Sequence, residues 1–174
     1  MTAILTKTHL LFLLGVVPAS AETRFSFGAG GTAGGAIATY RQNMRPAGAA
    51  GLGIGTYLRL GVQFANTIGV EVDASVGFAG ISGFVRGATP ITLTQADWLT
   101  LRAGPVFSAL QTRGDTGMYV GATIGVDFHL FHGGGVHALT IGVAADAGAT
   151  IVTSSYDTTG IAGGGFLNIG YSRR

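Results

Sequence analysis

The chain has no cysteine, which excludes a disulfide framework and a thiolate metal site. Lysine occurs once, at Lys7. Charged residues make up 10% of the sequence, against about 25% in ordinary soluble domains, and a surface that poor in charge is badly suited to water. The formal net charge of +2 is too small to single out nucleic acid as a partner. After residue 21 no apolar run approaches the roughly twenty residues that a membrane-spanning helix needs. A helical membrane protein is therefore excluded. Glycine is plentiful, with 31 residues, but it follows no three-residue period, so a collagen-like chain is excluded as well.

What is present begins with an export signal. Lys7 and His9 form a polar start, Leu10 to Val17 a short apolar run, and Pro18 a break; Ala19-Ser20-Ala21 then gives the small-x-small cleavage pattern. Residues 1–21 are read as a signal peptide and residues 22–174 as one domain, which suits a chain of 174 residues.

Beyond it, the polarity alternates with period two, the signature of strands. Leu52, Ile54, Thr56, Leu58, Leu60, Val62 and Phe64 share one parity, with Tyr57, Arg59 and Gln63 on the other. Val70, Val72, Ala74, Val76 and Phe78 oppose Glu71, Asp73 and Ser75. The same separation recurs over 99–107, 118–130 and 139–151, where Arg102, Asp127 and Asp146 all fall on the polar, glycine-rich face. A charge-free outer face and a charged inner face suit a closed barrel standing in lipid. A water-soluble barrel would place the two faces the other way round. Charge-free faces of about 11 to 13 residues, rising about 3.3 Å each and tilted near 45°, match the apolar band of such barrels. Phe64, Phe107, Phe128 and Tyr171 are expected near strand ends, as an aromatic girdle.

The sequence thus predicts an all-β fold: a single closed, antiparallel, up-and-down transmembrane β-barrel of eight strands. They are expected near 24–31, 34–40, 48–64, 68–84, 91–108, 117–131, 136–152 and 160–171. The first two form one strand if the glycines at 30–31 and 34–35 do not turn the chain, which leaves seven. Turns are expected at 65–67, 87–90, 112–115, 133–135 and 154–159, and contact loops near 80–97, 109–116 and 153–159. A three-residue loop at 65–67 sets Arg59 opposite Asp73 and Gly61 opposite Glu71. Arg59, Glu71, Asp73, Arg102, Asp127 and Asp146 are predicted to form an ion-pair network that fills the lumen, since buried charges must be paired.

No catalytic residues are identified, because no spacing points to a triad. No cofactor is expected, and Gly28 to Gly35 is followed by no helix, so it is not a phosphate loop. His129, His132 and His137 are read as exposed turn histidines rather than metal ligands.

Leu60-Gly61-Val62-Gln63-Phe64, Asn66, Gly69-Val70-Glu71, Leu101 to Pro105, Tyr119 to Ala122 and Phe166 to Tyr171 carry a resemblance to the small outer-membrane β-barrel proteins of the OmpA/OmpX type. The resemblance covers residues 22–174. It implies the outer membrane of a Gram-negative-type bacterium, with outer-membrane lipid and the outer-membrane assembly machinery as partners. It further implies a monomer that binds no nucleic acid and presents loops to a partner the sequence does not name. A structural or surface-interaction role is the leading expectation, without enzymatic activity. The alternatives are a narrow ion channel or porin, a lipid-modifying outer-membrane enzyme, and a soluble exported β-sandwich.

Overall fold

The computed structural model describes residues 23–42, 45–64, 68–96, 98–113, 115–133, 137–151 and 160–173. The predicted signal peptide lies outside the described residues, as do loop 153–159, the turn at 65–67 and all of the turn expected at 133–135 except Gly133, which ends β7. The strands are β1 (Thr23–Gln42), β2 (Arg45–Phe64), β3 (Ile68–Ala79), β4 (Ser82–Ala88), β5 (Ile91–Ala96), β6 (Leu99–Thr112), β7 (Asp115–Gly133), β8 (His137–Ile151) and β9 (Ile161–Arg173). Every pairing is antiparallel, and β1 pairs with both β2 and β9, which closes the sheet on itself.

β4 and β5 are two halves of one stave. Asp73 pairs with Ala88 and Val70 with Ile91, so a single register runs through the break. Pro90 has no N–H to give the ladder. Its carbonyl still accepts from Glu71 N at 3.0 Å, and Thr89 N donates to the Pro105 carbonyl at 3.1 Å. The barrel therefore has eight staves, and closure removes the unpaired edges that lipid cannot satisfy.

Eight is also the predicted number, but the staves divide differently. The glycines of β1 do not turn the chain. A Cβ on Gly30 would lie 2.3 Å from the Ile169 carbonyl oxygen, so glycine there permits close approach of β9. Predicted strand 68–84 instead folds back at Gly80, whose φ of 62° suits glycine. The expected turn at 87–90 lies inside the fourth stave, and predicted strand 91–108 is divided between β5 and β6. The contact loop expected at 80–97 is consequently mostly wall. That at 109–116 shrinks to a tight connection, since Thr112 pairs directly with Asp115.

The two faces separate as the alternation requires. Leu52, Ile54, Leu60, Val72, Phe78, Ile124 and Val143 stand exposed on the outer wall, whereas Arg59, Asp73, Arg86, Arg102, Asp127 and Asp146 are buried inside. Such a wall cannot rest in water, and it matches a lipid-facing belt. Phe25, Phe27, Trp98, Phe128 and Tyr171 ring the end that carries both termini, where Trp98 stacks on Phe128 at 6.3 Å. Phe107 is no girdle residue: β6 continues to Thr112, which leaves Phe107 within the wall opposite Gly87 and Val120.

Candidate functional site in the lumen

The inner faces of β2, β3, β4, β6, β7 and β8 supply one continuous charged network. Its centre is Asp127, 1% exposed. Arg59 Nη1 donates to Asp127 Oδ2 at 2.6 Å and Arg102 Nη2 to Asp127 Oδ1 at 2.9 Å. The other arm of Arg102 reaches Asp73 Oδ2 at 3.0 Å, which also lies 3.5 Å from Arg59 Nη2 and 3.7 Å from Arg86 Nη1. Arg86 grips Asp146 through two bonds, of 2.7 and 2.9 Å, and donates to Thr123 Oγ1 at 2.8 Å. The Tyr119 hydroxyl donates to Asp146 Oδ2 at 2.9 Å. Glu71 stands at the other extremity, 3.6 Å from Arg59 Nε and accepting from Ser26 Oγ at 3.4 Å.

The network thus joins opposite walls rather than only neighbouring staves. Arg59 and Asp73 do pair in the ladder, as do Gly61 and Glu71, in the register that a three-residue loop requires. The shorter bond of Arg59, however, crosses the lumen to Asp127 on β7. A double-mutant cycle should accordingly give a larger coupling for Arg59 with Asp127 than for Arg59 with Asp73. We expect about 1.5–3 kcal/mol for the former, the range of hydrogen bonds to charged groups. Denaturant unfolding in lipid vesicles would measure both, and equal couplings would refute the geometric ranking.

All six residues named from the sequence sit in this network, which also contains Arg86, Tyr119 and the hydroxyls of Ser26 and Thr123. Arg86 was missed because it falls between predicted strand 68–84 and the turn expected at 87–90; alternation of Phe84, Arg86 and Ala88 against Val85 and Gly87 was the available signal. Tyr119 shares the parity of Asp127, and it meets Asp146 across the pairing of β7 with β8.

Two further layers flank the charges. Toward the end with the termini, His129 is buried, not exposed as expected. Its Nε2 lies 3.0 Å from Thr100 Oγ1, and its Nδ1 lies 3.0 Å from Thr140 Oγ1 and 3.5 Å from Ser172 Oγ. His137 stands apart on the outer wall, hydrogen-bonded to the Tyr171 hydroxyl, and the side chain of His132 lies outside the described residues. Among the described residues no group of three or more histidines, cysteines and acids is placed to hold a metal.

Toward the opposite end the lumen is apolar. Phe84 and Phe166 meet edge to face at 5.0 Å, and Leu110, Ala36 and Ala38 pack around them. Arg86 lies 5.0 Å above the Phe166 ring, which joins the charged layer to the apolar one. A cavity of about 20 Å³ remains beside Arg59, Glu71, Thr92 and His129, room for about one water molecule.

A closed eight-stave barrel, an apolar wall and a lumen packed with ion pairs define the architecture. The outer membrane protein OprG from Pseudomonas aeruginosa has a similar structure, with a TM-score of 0.51 at 10% sequence identity, covering 88% of this chain and 95% of that one. The fold is that of the small outer-membrane β-barrels. Neisserial surface protein A aligns over 87% of this chain and 98% of its own at 14% identity, with a TM-score of 0.45. The attachment invasion locus protein Ail of Yersinia pestis aligns over 86% and 99% at 12% identity, with a TM-score of 0.41. No family of sequences and no curated protein matches the chain. The closed barrel removes the β-sandwich from the alternatives, because all strands among the described residues belong to one sheet closed on itself.

Proposed function

We propose that this protein is an outer-membrane barrel with a sealed lumen, serving as a structural element and as a scaffold for the surfaces at the ends of its staves. The observation that carries this reading is the stacking of three filled layers inside the barrel. Hydroxyl and imidazole groups come first, then ion pairs, then the Phe84–Phe166–Leu110 plug. An interior of eight strands is just wide enough for side chains to fill, and here they fill it. An ion crossing the barrel would need to separate Arg59 from Asp127 and Arg86 from Asp146, then pass an apolar constriction. Each step carries a large desolvation cost.

Among the described residues no reactive pair is placed for the lipid-modifying reading. Ser172 and His129 approach to 3.5 Å inside the barrel and face no leaflet. Export through a cleaved signal peptide, insertion by the outer-membrane assembly machinery and a monomeric state belong to the same proposal.

Reconstitution into planar bilayers is the test. The expected result is a flat current trace with no discrete open level across the voltages that other barrels tolerate. Reproducible single-channel steps that disappear when the protein is omitted would establish the narrow-channel reading instead.

A further inference from the structure

We propose that the outer wall of β1, β2 and β3, at the end bearing the termini, binds one phospholipid with an anionic headgroup. A groove of about 840 Å³ opens there. Phe25, Phe27, Leu60, Val62, Val70 and Val72 form its sides, and Arg24 and Arg173 border it. The size lies within the range of small-molecule sites, and the lining is apolar with cations at the border, which is the polarity of a lipid.

The border is built by the ladder. Arg173 pairs with Phe27 on one side and with His137 on the other, and it is exposed on the outward face. Tyr171, two residues earlier on the same face, lies against His137 with ring centroids 5.7 Å apart and the rings tilted by 32°. A phosphate at this height meets the fork of Arg173, which fits such an oxyanion through paired N–H donors. Tyr171 and His137 border the same level, where aromatic rings mark the membrane interface. Glu71 also borders the groove, but its carboxylate faces Arg59 and Ser26 rather than the rim.

Hydrocarbon already has to cover this belt, so an acyl chain is the occupant the surroundings supply. Arg173 decides which headgroup is kept. Arginine near a membrane surface favours anionic lipid by a factor of about five per side chain.

Native mass spectrometry of the protein released from mixed phosphatidylglycerol and phosphatidylcholine nanodiscs tests the proposal. The unaltered protein should retain phosphatidylglycerol in preference, and Arg173→Gln should lower that preference about fivefold. Arg113→Gln, beyond the last residue of β6 at the opposite end, should leave it unchanged. Leu60→Trp, which fills the groove without touching a charge, should reduce the amount of lipid retained. Heat-modifiable gel migration establishes that each variant is folded. Equal retention of the two lipids, an undiminished preference in Arg173→Gln, or undiminished retention in Leu60→Trp would each overturn the proposal. Displacement of the lipid by inorganic phosphate alone would also overturn it, because the site would then hold a free anion.

Discussion

Asp127→Asn should destabilise the barrel by about 3–5 kcal/mol, the largest effect expected of any single change in the lumen. The neutral amide keeps the volume of the carboxylate but withdraws the charge that two guanidinium groups share, at 2.6 and 2.9 Å. Arg59 is then left with Glu71 at 3.6 Å and Asp73 at 3.5 Å, and Arg102 with Asp73 alone. Neither arginine can turn to solvent, since both are less than a tenth exposed. The cost therefore comes mainly from two buried guanidinium groups that lose their short charged acceptor and keep only longer or shared ones, in an interior where water cannot replace it. Urea unfolding in lipid vesicles, followed by tryptophan fluorescence of Trp98, provides the measurement. A cost below about 1 kcal/mol for Asp127→Asn, typical of exposed pairs, would refute a dry interior network.

The second large effect lies on the other face. Ile124 stands near the middle of β7 and is 64% exposed on the outer wall, flanked by Ala103 and Ala145 on the adjoining staves. Ile124→Arg should cost about 2–4 kcal/mol, the range for a cation facing lipid at the bilayer midplane. No inward rotation can rescue it, because strand geometry points position 124 away from the lumen. The same substitution nearer an interface should cost about 0–1 kcal/mol, because the side chain can reach headgroups there. Equal penalties at both depths would count against a bilayer around this wall.

The stretches that were readable from sequence were those in which alternation runs unbroken. From Leu52 to Phe78, each residue's parity assigned it to the wall or the lumen, and the short loop assigned the register. Where glycine or proline interrupts the pattern, the sequence was ambiguous. Gly30-Gly31 resembles a turn, yet the chain runs straight through it and Gly30 makes room for the backbone of β9. Gly87 to Pro90 contains stronger turn residues than Gly80-Ile81, yet the chain turns at Gly80. Two neighbouring strands hold Thr89 and Pro90 in register through Glu71 and Pro105, and no local propensity records those strands. The same misreading hid Arg86, although its alternation with Val85 and Gly87 was present.

A wall suited to lipid and the inward facing of Arg59, Glu71, Asp73, Arg102, Asp127 and Asp146 follow from the order of residues alone. Period-two polarity is a property of the strand itself, and a wall without charge has few environments in which it is stable. Which carboxylate meets which guanidinium, and whether any space is left between them, could not be decided that way. Arg59 finds Asp127 sixty-eight positions away because closure of the sheet brings β2 and β7 face to face across the lumen. His129 is buried for the same reason, and Phe84 meets Phe166 through the same closure. Local alternation sets the direction of a side chain, but only the curvature of the closed wall determines what lies opposite.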